Sequence, residues 1–143
     1  MTHHFTVVGA EPADLDDIAN QLSKEIDALA TAGSPPDKLL AAKFLNQQTG
    51  VQTYLVVVRG NEDPHTHPDG DLIIYVLSGG GEVHLAAGAS GAPGATVDAA
   101  AGSTVVIPKG VCHAYYNTSG EDSVILATFS PINSRGDCPL ISS

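Results

Sequence analysis

The sequence is poor in several features that mark particular classes of protein, and basic residues are the scarcest. Its 143 residues include 6 lysine or arginine side chains against 16 aspartate or glutamate side chains, for a formal net charge of -10. A field of that sign repels phosphate backbones and anionic lipids, so we expect neither nucleic acid nor a membrane as a partner. No stretch approaches the ~18 apolar residues that span a bilayer, and the first residues lack the pattern of a secretion signal.

Cysteine is scarce as well. Cys112 and Cys138 are the two cysteines, and neither belongs to a CxxC pair. We interpret them as free thiols, which predicts a reducing compartment and a cytoplasmic protein. Cys112 precedes His113, but adjacent residues of a strand face opposite sides, so a catalytic thiol is not expected.

Aromatic residues make up 5% of the chain and tryptophan is absent, whereas apolar residues reach 43%. This composition predicts a core of valine, isoleucine, leucine and alanine. A chain of this length fits one domain, which buries about two thirds of its unfolded surface without a disulfide or a metal. A bound metal would therefore serve chemistry rather than folding.

The N-terminal part of the chain has the pattern of an amphipathic helix. Between Pro12 and about Ala32, apolar residues recur at intervals of three and four, which predicts one buried face. A second, short helix is predicted from an N-cap at Ser34 to about Ala42. We divide the single domain into a helical extension, residues 1–42, which packs on the barrel or in a subunit contact, and a barrel, residues 43–143.

Most of the remaining chain predicts short β-strands separated by turns, the pattern of an all-β barrel or sandwich. The predicted strands are residues 5–8, 43–48, 51–59, 72–77, 82–86, 96–98, 103–107, 112–117 and 123–129. Segment 72–77 is apolar throughout and predicts a buried strand. The Ala- and Gly-rich stretch 87–101 is interpreted as a surface excursion, and the proline-containing tail as an extended segment that covers a sheet edge.

Two blocks of the barrel region carry residues that bind metals. The first runs from Gly60 to Asp71 and contains His65 and His67, whose spacing places both imidazoles on one face of an extended strand. The second runs from Gly102 to Asn117 and contains His113 in another predicted strand. Three imidazole nitrogens reaching one cation make a mononuclear site that leaves positions open.

These two blocks resemble the paired motifs of the cupin superfamily, G-x5-H-x-H-x3,4-E-x6-G and G-x5-P-x-G-x2-H-x3-N. The second motif is matched at every position by Gly102, Pro108, Gly110, His113 and Asn117. The first motif departs in three places: Gly60 lies one residue too near His65, Asp71 stands where glutamate is expected, and Gly79 comes one residue late. The resemblance covers residues 51–130 and implies a cupin-type double-stranded β-helix, a jelly-roll barrel.

The resemblance also implies a ligand set. His65, His67 and His113 correspond to the family's histidine ligands, and Asp71 to its glutamate, as a fourth ligand or a proton acceptor. Aspartate is one methylene shorter, so a water could stand between Asp71 and the metal, and Asp69 is a second candidate. Without Asp71 the centre is a three-histidine site. The expected cofactor is one divalent transition metal ion per chain, with iron, zinc, nickel, manganese and cobalt all suited to such ligands.

Other residues are weighed by their parity on the predicted strands. Tyr115 shares the face of His113 and is a candidate catalytic residue that donates a hydrogen bond to substrate; the alternative is that it fills the barrel. Tyr54 and Tyr75 are weaker candidates of the same kind. Glu82 and His84 are interpreted as a solvated strand face, and His3 and His4 are not expected to bind a metal together.

The implied function is that of a metal-dependent enzyme acting on a small, oxygen-bearing organic molecule, with an iron(II)-type dioxygenase as the first hypothesis. Alternatives are a redox-neutral lyase, isomerase or cyclase that uses the metal as a Lewis acid, and a non-catalytic small-molecule-binding protein. The resemblance further implies a homodimer. An anionic substrate would need a local cation, which is the metal or one of Lys43, Arg59, Lys109 and Arg135.

Overall fold

The computed structural model of this chain describes residues 3–48, 50–85 and 95–138. Its helices are α1 (Leu15–Thr31) and the 3-10 helix Pro36–Lys38. Its strands are β1 (His4–Phe5), β2 (Ala13–Asp14), β3 (Leu40–Gln48), β4 (Val51–Val58), β5 (His65–Thr66), β6 (Asp71–Ser78), β7 (Gly80–Leu85), β8 (Thr96–Ala100), β9 (Thr104–Ile107), β10 (His113–Asn117), β11 (Ser123–Ser130) and β12 (Gly136–Asp137). None of the described helices has the length and hydrophobicity to cross a membrane.

Two five-stranded antiparallel sheets enclose the interior of the barrel. Their strand orders are β12-β5-β10-β7-β8 and β3-β4-β11-β6-β9. Side chains from both sheets, among them Val76, Val83 and Ile125, form one buried apolar cluster between them. The prediction of an all-β jelly-roll barrel with an N-terminal helix is confirmed. Of the predicted excursion 87–101, strand β8 and the turn after it are described, while residues 86–94 lie outside the described ranges.

Strand β6 alternates buried and exposed side chains along its length. Leu72, Ile74 and Val76 are buried, whereas Ile73 and Tyr75 face outward, with Tyr75 40% exposed. The prediction of a buried strand therefore holds for the inward face of β6 and not for its outer face. Successive strand residues point to opposite faces, and the outer face of β6 is not fully covered.

Helix α1 packs on the outside of the barrel. Asp14 caps it by accepting a hydrogen bond from the Asp17 N–H at 3.0 Å, as short polar side chains do at helix starts. Its stripe, including Leu22 and Ile26, packs with Leu55 of β4 in a second apolar cluster. This cluster contributes no side chain to the cavity described below, so the helix supports the barrel wall from behind.

The predicted helix from Ser34 to Ala42 is wrong. Only Pro36–Lys38 forms a helical turn, and β3 begins at Leu40. The backbone N–H of Arg59 donates to the Leu39 carbonyl at 2.9 Å, and Leu40 pairs with Val58. Pairing with β4 therefore overrides the local helical preference, and residues 40–42 belong to the sheet.

Residues 131–138 form a C-terminal strap along the edge of one sheet. Its strand β12 pairs with β5, matching Asp137 with His65, which confirms the expectation that the tail covers an edge. Cys138 forms a disulfide with Cys112, with Cα atoms 6.1 Å apart. The prediction of free thiols is therefore wrong. The two cysteines are 26 positions apart in sequence, and only the order of strands in the sheet brings them together. The expectation of a reducing compartment loses its basis with it, since disulfides persist mainly in oxidising ones.

Candidate metal centre

Three histidine rings meet inside the barrel. His65 lies on β5, His67 follows it in the same segment, and His113 opens β10 directly opposite His65 in the sheet. One ring nitrogen of each lies within 4.8 Å of the others. The rings are 3%, 7% and 1% exposed, respectively. The structure therefore brings the three sequence-predicted histidines together at one buried point.

Each ring is oriented by a backbone carbonyl. Nδ1 of His65 donates to the Asp63 carbonyl at 2.6 Å, and Nδ1 of His113 to the Val111 carbonyl at 2.9 Å. Nδ1 of His67 donates to the Ser134 carbonyl at 2.8 Å. A carbonyl only accepts, so Nδ1 carries the proton in all three rings and the lone pair of each ring is on Nε2. This is the arrangement by which metal-binding histidines are held.

Burial keeps these imidazoles neutral. It lowers the pKa of His113 to about 4, and it lowers the pKa of His65 and His67 below their usual value. The Nε2 atom of His113 is buried and has no hydrogen-bond partner among the described residues. An unpartnered polar atom in a protein interior is costly unless a ligand satisfies it. A divalent transition metal fits this donor set, because neutral imidazole nitrogens are among its preferred ligands.

Asp71 does not lie with the histidines. It is exposed at the start of β6, and its Oδ1 accepts a hydrogen bond from the Lys109 N–H at 2.9 Å. The group of potential metal ligands in the described residues contains the three histidines without Asp71. We therefore correct its assignment as fourth ligand or proton acceptor. The physical reason is strand parity: Leu72 faces the interior, so Asp71 faces outward.

Asp69 is not a ligand in this arrangement either. It is exposed, and it meets the strap through its backbone N–H, which donates to Ser134 Oγ at 3.0 Å. The inward position that follows the histidine pair belongs to Leu72, a side chain with no donor atom. Counted back from Gly79, the motif glutamate also falls on this position. Because the first motif is irregular by one residue, the inward-facing position that would carry the carboxylate carries the hydrocarbon side chain of Leu72.

The carboxylate that does approach the histidines is Glu62, which sequence reasoning missed. Its Oε2 lies 4.0 Å from His65 Nε2, and its Oε1 accepts from the Tyr115 N–H at 3.0 Å. Burial raises the pKa of Glu62 to about 7, although the hydrogen bond from Tyr115 opposes that rise. No motif position marks Glu62. Its place depends on the bridge between Asn61 and Tyr116, which sets the segment against β10.

Tyr115 lies beside this site, on the face of β10 that strand parity predicts. It is 3% exposed, and its hydroxyl has no hydrogen-bond partner among the described residues. The nearby hydroxyl of Ser123 is engaged with the backbone of Gly80, to whose carbonyl it donates at 3.0 Å. Burial raises the pKa of Tyr115, so its hydroxyl remains protonated and available as a donor.

The three rings border a cavity of about 310 Å³ between the two sheets. The sheet opposite the histidines supplies apolar walls, among them Ile74, Ile125 and Phe129. Apart from Tyr54 of β4, the polar groups lie on the histidine side and at the rim, where Glu62 and Arg135 also border an outer depression. The cavity therefore has one face suited to a metal and its ligands and one face that is mainly hydrocarbon.

The remaining sequence candidates divide between interior and surface. Tyr54 lines the cavity and makes an edge contact with Phe129, with ring centroids 5.7 Å apart. Tyr75 faces outward. His84 is partly exposed and approaches Glu82 at 3.4 Å on the outer side of β7, in agreement with a solvated strand face. His3 bonds to Asp16 in the N-terminal segment.

Comparison with known proteins identifies the family of this arrangement. Residues 54–129 match the model of the Cupin domain family. An uncharacterised protein of Aquifex aeolicus (strain VF5) is 40% identical over 87 residues, which cover 61% of this chain and 65% of that protein. The chain thus spans somewhat less than two thirds of the length of this relative.

Solved structures share the fold. Oxalate oxidase in complex with the substrate analogue glycolate is 25% identical, with a TM-score of 0.62 over 72% of this chain and 56% of the oxidase. KdgF from Halomonas sp. is also 25% identical, with a TM-score of 0.56 over 66% of this chain and 81% of KdgF. An oxalate decarboxylase of Lactobacillus farciminis is 22% identical, with a TM-score of 0.58 over 66% of this chain and 30% of that enzyme.

Proposed function

The chain belongs to the cupin family, and from that membership we propose that it is a metal-dependent enzyme of the iron(II) dioxygenase type, acting on a small oxygen-bearing organic molecule. One observation carries the proposal. Three buried imidazoles, each oriented by a carbonyl at Nδ1, bring one ring nitrogen each within 4.8 Å of the others on the wall of a cavity, and Nε2 of His113 has no hydrogen-bond partner among the described residues. A merely structural histidine would have its second nitrogen satisfied by protein.

His65, His67 and His113 would hold the metal, and the cavity would hold the substrate beside it. A divalent metal with three protein ligands supplies open positions for an oxygen-bearing substrate, and it can activate dioxygen or polarise the substrate as a Lewis acid. The apolar wall excludes bulk water from the far side of the substrate. This restricts the chemistry to the molecule that the cavity has bound.

Two side chains of this site can handle protons. Glu62 presents Oε2 toward the centre while the Tyr115 N–H holds its other oxygen, so the carboxyl group can receive or return a proton without turning. The hydroxyl of Tyr115 is buried without a partner. We propose that this hydroxyl donates a hydrogen bond to a substrate oxygen, the catalytic role that strand parity predicts for it.

A redox-neutral lyase, isomerase or cyclase is the second candidate, and Glu62 is the observation that favours it. A carboxyl group whose pKa is raised to about 7 by burial is suited to abstract and return protons near neutral pH. Such chemistry needs the same metal centre but no dioxygen. A non-catalytic binding protein is the third reading, in which substrate binds the centre and leaves unchanged.

The test begins with metal content. Protein purified without added metal is analysed by mass spectrometry for iron, zinc, nickel, manganese and cobalt, alongside His113→Ala and the surface control His84→Ala. We expect about one ion per wild-type chain, the same for His84→Ala, and a loss of at least tenfold for His113→Ala. A wild-type chain that takes up no divalent metal, even when supplied with it, contradicts the proposal.

Oxygen consumption then separates the candidates. The metal-loaded protein is offered diketones, catechols, thiols and sulfonium acids, with dioxygen and products both followed. Consumption that depends on His113 supports the dioxygenase, and product formation without consumption supports the redox-neutral enzyme. Substrate that binds and is recovered unchanged in every case contradicts both and favours the binding protein.

A homodimer is kept as a proposal that follows from the family. A cytoplasmic location is kept as a proposal as well, although the disulfide removes the argument from free thiols. Light scattering coupled to size-exclusion chromatography tests the first. Labelling of free thiols in freshly opened cells tests the second, because a cytoplasmic pool at steady state would carry reduced Cys112 and Cys138.

A further inference from the structure

We propose that the substrate is a small organic acid with an apolar body, and that Arg135 binds its carboxylate at the rim of the cavity while the histidine centre takes a neighbouring oxygen. This deepens the proposed function and rests on it. Arg135 borders both the inner cavity and the outer depression, together with Leu40 and Glu62. Arg135 therefore lies where the cavity and the outer depression meet.

Arg135 forms no salt bridge in the part of the chain that the structure describes, although its charge acts on the carboxyl group of Glu62 at the same rim. The other arginine, Arg59, is held by carboxylates of Asp27 and Asp122, both at 2.8 Å, and Lys38 lies 3.6 Å from Asp63. Among residues 3–48, 50–85 and 95–138, Arg135 has no ion-pair partner, in a chain with 16 acidic side chains. An unpaired guanidinium offers two parallel N–H groups, which match a carboxylate bidentately.

The charge of Arg135 reaches the histidine centre. Burial dominates the pKa shifts of Glu62 and the three histidines, and Arg135 is a further cause that lowers each of these pKa values. A protein of net charge -10 repels anions at a distance. At the rim, Arg135 and Lys38 lie among the carboxyl groups of Asp37, Glu62 and Asp63. The two cations offset most of the local negative charge, and Arg135 offers an approaching acid a positive group.

The strap holds Arg135 in place from both sides. Before it, the Asn133 N–H donates to Gln52 Oε1 at 2.8 Å, and the Ser134 carbonyl accepts from His67. After it, Gly136 and Asp137 pair with β5. An anchored backbone leaves less freedom to lose when a ligand binds, which favours affinity.

The sheet opposite the histidines indicates the chemistry of the substrate beyond its carboxylate. Apart from the hydroxyl of Tyr54, the side chains that this sheet contributes to the cavity wall are hydrocarbon, among them Leu40, Val56, Ile74, Ile125 and Phe129. A second charged group would lie against these side chains without a partner, which is costly. An acid with its carboxylate at Arg135 and an aliphatic or aromatic body toward this wall satisfies both faces of the cavity.

The experiment uses the metal-loaded protein and three probes. 4-Methyl-2-oxopentanoate has a carboxylate, a keto oxygen for the metal and an apolar body; its methyl ester lacks the charge; oxalate lacks the apolar body. Binding is measured by calorimetry and by the visible absorption of the cobalt(II)-loaded protein, for wild type, Arg135→Gln, Arg135→Lys and the control Lys24→Gln. Lys24→Gln removes the same charge from the exposed side of α1.

We expect wild type and Lys24→Gln to bind the oxo acid roughly tenfold to a hundredfold tighter than the ester, the range for a hydrogen-bonded charge. Arg135→Gln should lose this preference while keeping its metal, and Arg135→Lys should keep part of it. Oxalate should bind at least tenfold more weakly than the oxo acid.

The two proposals fail differently. A wild-type protein that binds no metal overturns the proposed function and this inference together. A metal-loaded wild type that does not bind the oxo acid, that does not distinguish acid from ester, or whose preference survives Arg135→Gln, overturns only the inference. If oxalate binds as tightly as the oxo acid, the part of the inference that gives the substrate an apolar body is wrong.

Discussion

Nδ1 of His67 lies 2.8 Å from the carbonyl oxygen of Ser134, across 67 positions of sequence. Through this bond the C-terminal strap orients one of the three rings of the candidate metal centre. The same strap pairs with His65 through Asp137, and its Cys138 is bonded to Cys112, the neighbour of His113. All three rings are therefore linked to the strap by a hydrogen bond, a strand pairing or a disulfide. Changes in the strap should alter metal affinity, and metal binding should stabilise the strap.

Metal binding should stabilise the native protein. The three nitrogens converge only when the barrel is folded, so a divalent ion binds the native state in preference to the unfolded chain. At a free metal concentration ~100 times the dissociation constant, the gain is about 2.7 kcal/mol, or roughly 10 °C in Tm for a domain of this size. Thermal melts with and without metal check this. His113→Ala should show no shift, and an equal shift in His113→Ala would exclude the centre as its source.

Breaking the disulfide should weaken both stability and metal affinity. Removal of the Cys112–Cys138 bond, which closes a loop over 26 positions, is expected to cost roughly 3.5 kcal/mol from loop-closure entropy. Because the strap carries the acceptor of His67, the metal dissociation constant should rise as well. Urea titrations with and without dithiothreitol measure the loss of stability. Metal competition without the thiol, which itself binds these metals, compares the affinities of wild type and the double serine variant. The double serine variant is the control, since dithiothreitol should not alter it; an unchanged metal affinity in that variant means that the strap does not orient His67.

Asp71→Asn should leave the metal centre intact. Asp71 is exposed and bonds to the Lys109 N–H rather than facing the rings, so the metal dissociation constant should change less than twofold. Stability should fall by less than about 1 kcal/mol, because water can replace an exposed hydrogen-bond partner. Metal competition against a chromogenic chelator makes the measurement, with His67→Ala as the reference for a lost ligand. If Asp71→Asn lost as much metal affinity as His67→Ala, Asp71 would have to be a ligand after all.

The metal-free protein should show two opposing pH dependences. His113, with its pKa lowered from 6.5 to about 4, contributes stability that is complete above pH 6.5 and is lost as pH falls through 4. Glu62, with its pKa raised from 4.5 to about 7, contributes stability that is complete below pH 4.5 and is lost as pH rises through 7. Each contribution is roughly 3 kcal/mol, so the two largely cancel between these limits.

Glu62→Gln exposes the histidine contribution. In this variant the free energy of unfolding should rise by roughly 2 kcal/mol between pH 4.5 and 6.5, more steeply than in wild type. The lowered pKa values of His65 and His67 act in the same direction. Urea denaturation in the presence of a chelator gives the two curves. Parallel curves for wild type and Glu62→Gln would show that the carboxyl group of Glu62 titrates normally.

The histidines and the barrel could be predicted from sequence because both depend on short-range patterns. The H-x-H spacing and the complete second motif identify His65, His67 and His113, and strand parity predicts the placement of Tyr115 beside His113. Asp71 was misassigned because a shift of one residue exchanges the two faces of a strand, and the first motif is irregular at that point. Glu62 and the Cys112–Cys138 bond depend on pairings between distant segments, which no local pattern encodes.

Leu72 has an electrostatic consequence. Where a carboxylate ligand would cancel one unit of a divalent ion's charge, this inward-facing hydrocarbon cancels none. An ion coordinated by the three neutral rings alone would keep both of its positive charges. Glu62, when ionised, would offset one of these charges from beside His65, and a negatively charged substrate would offset the other.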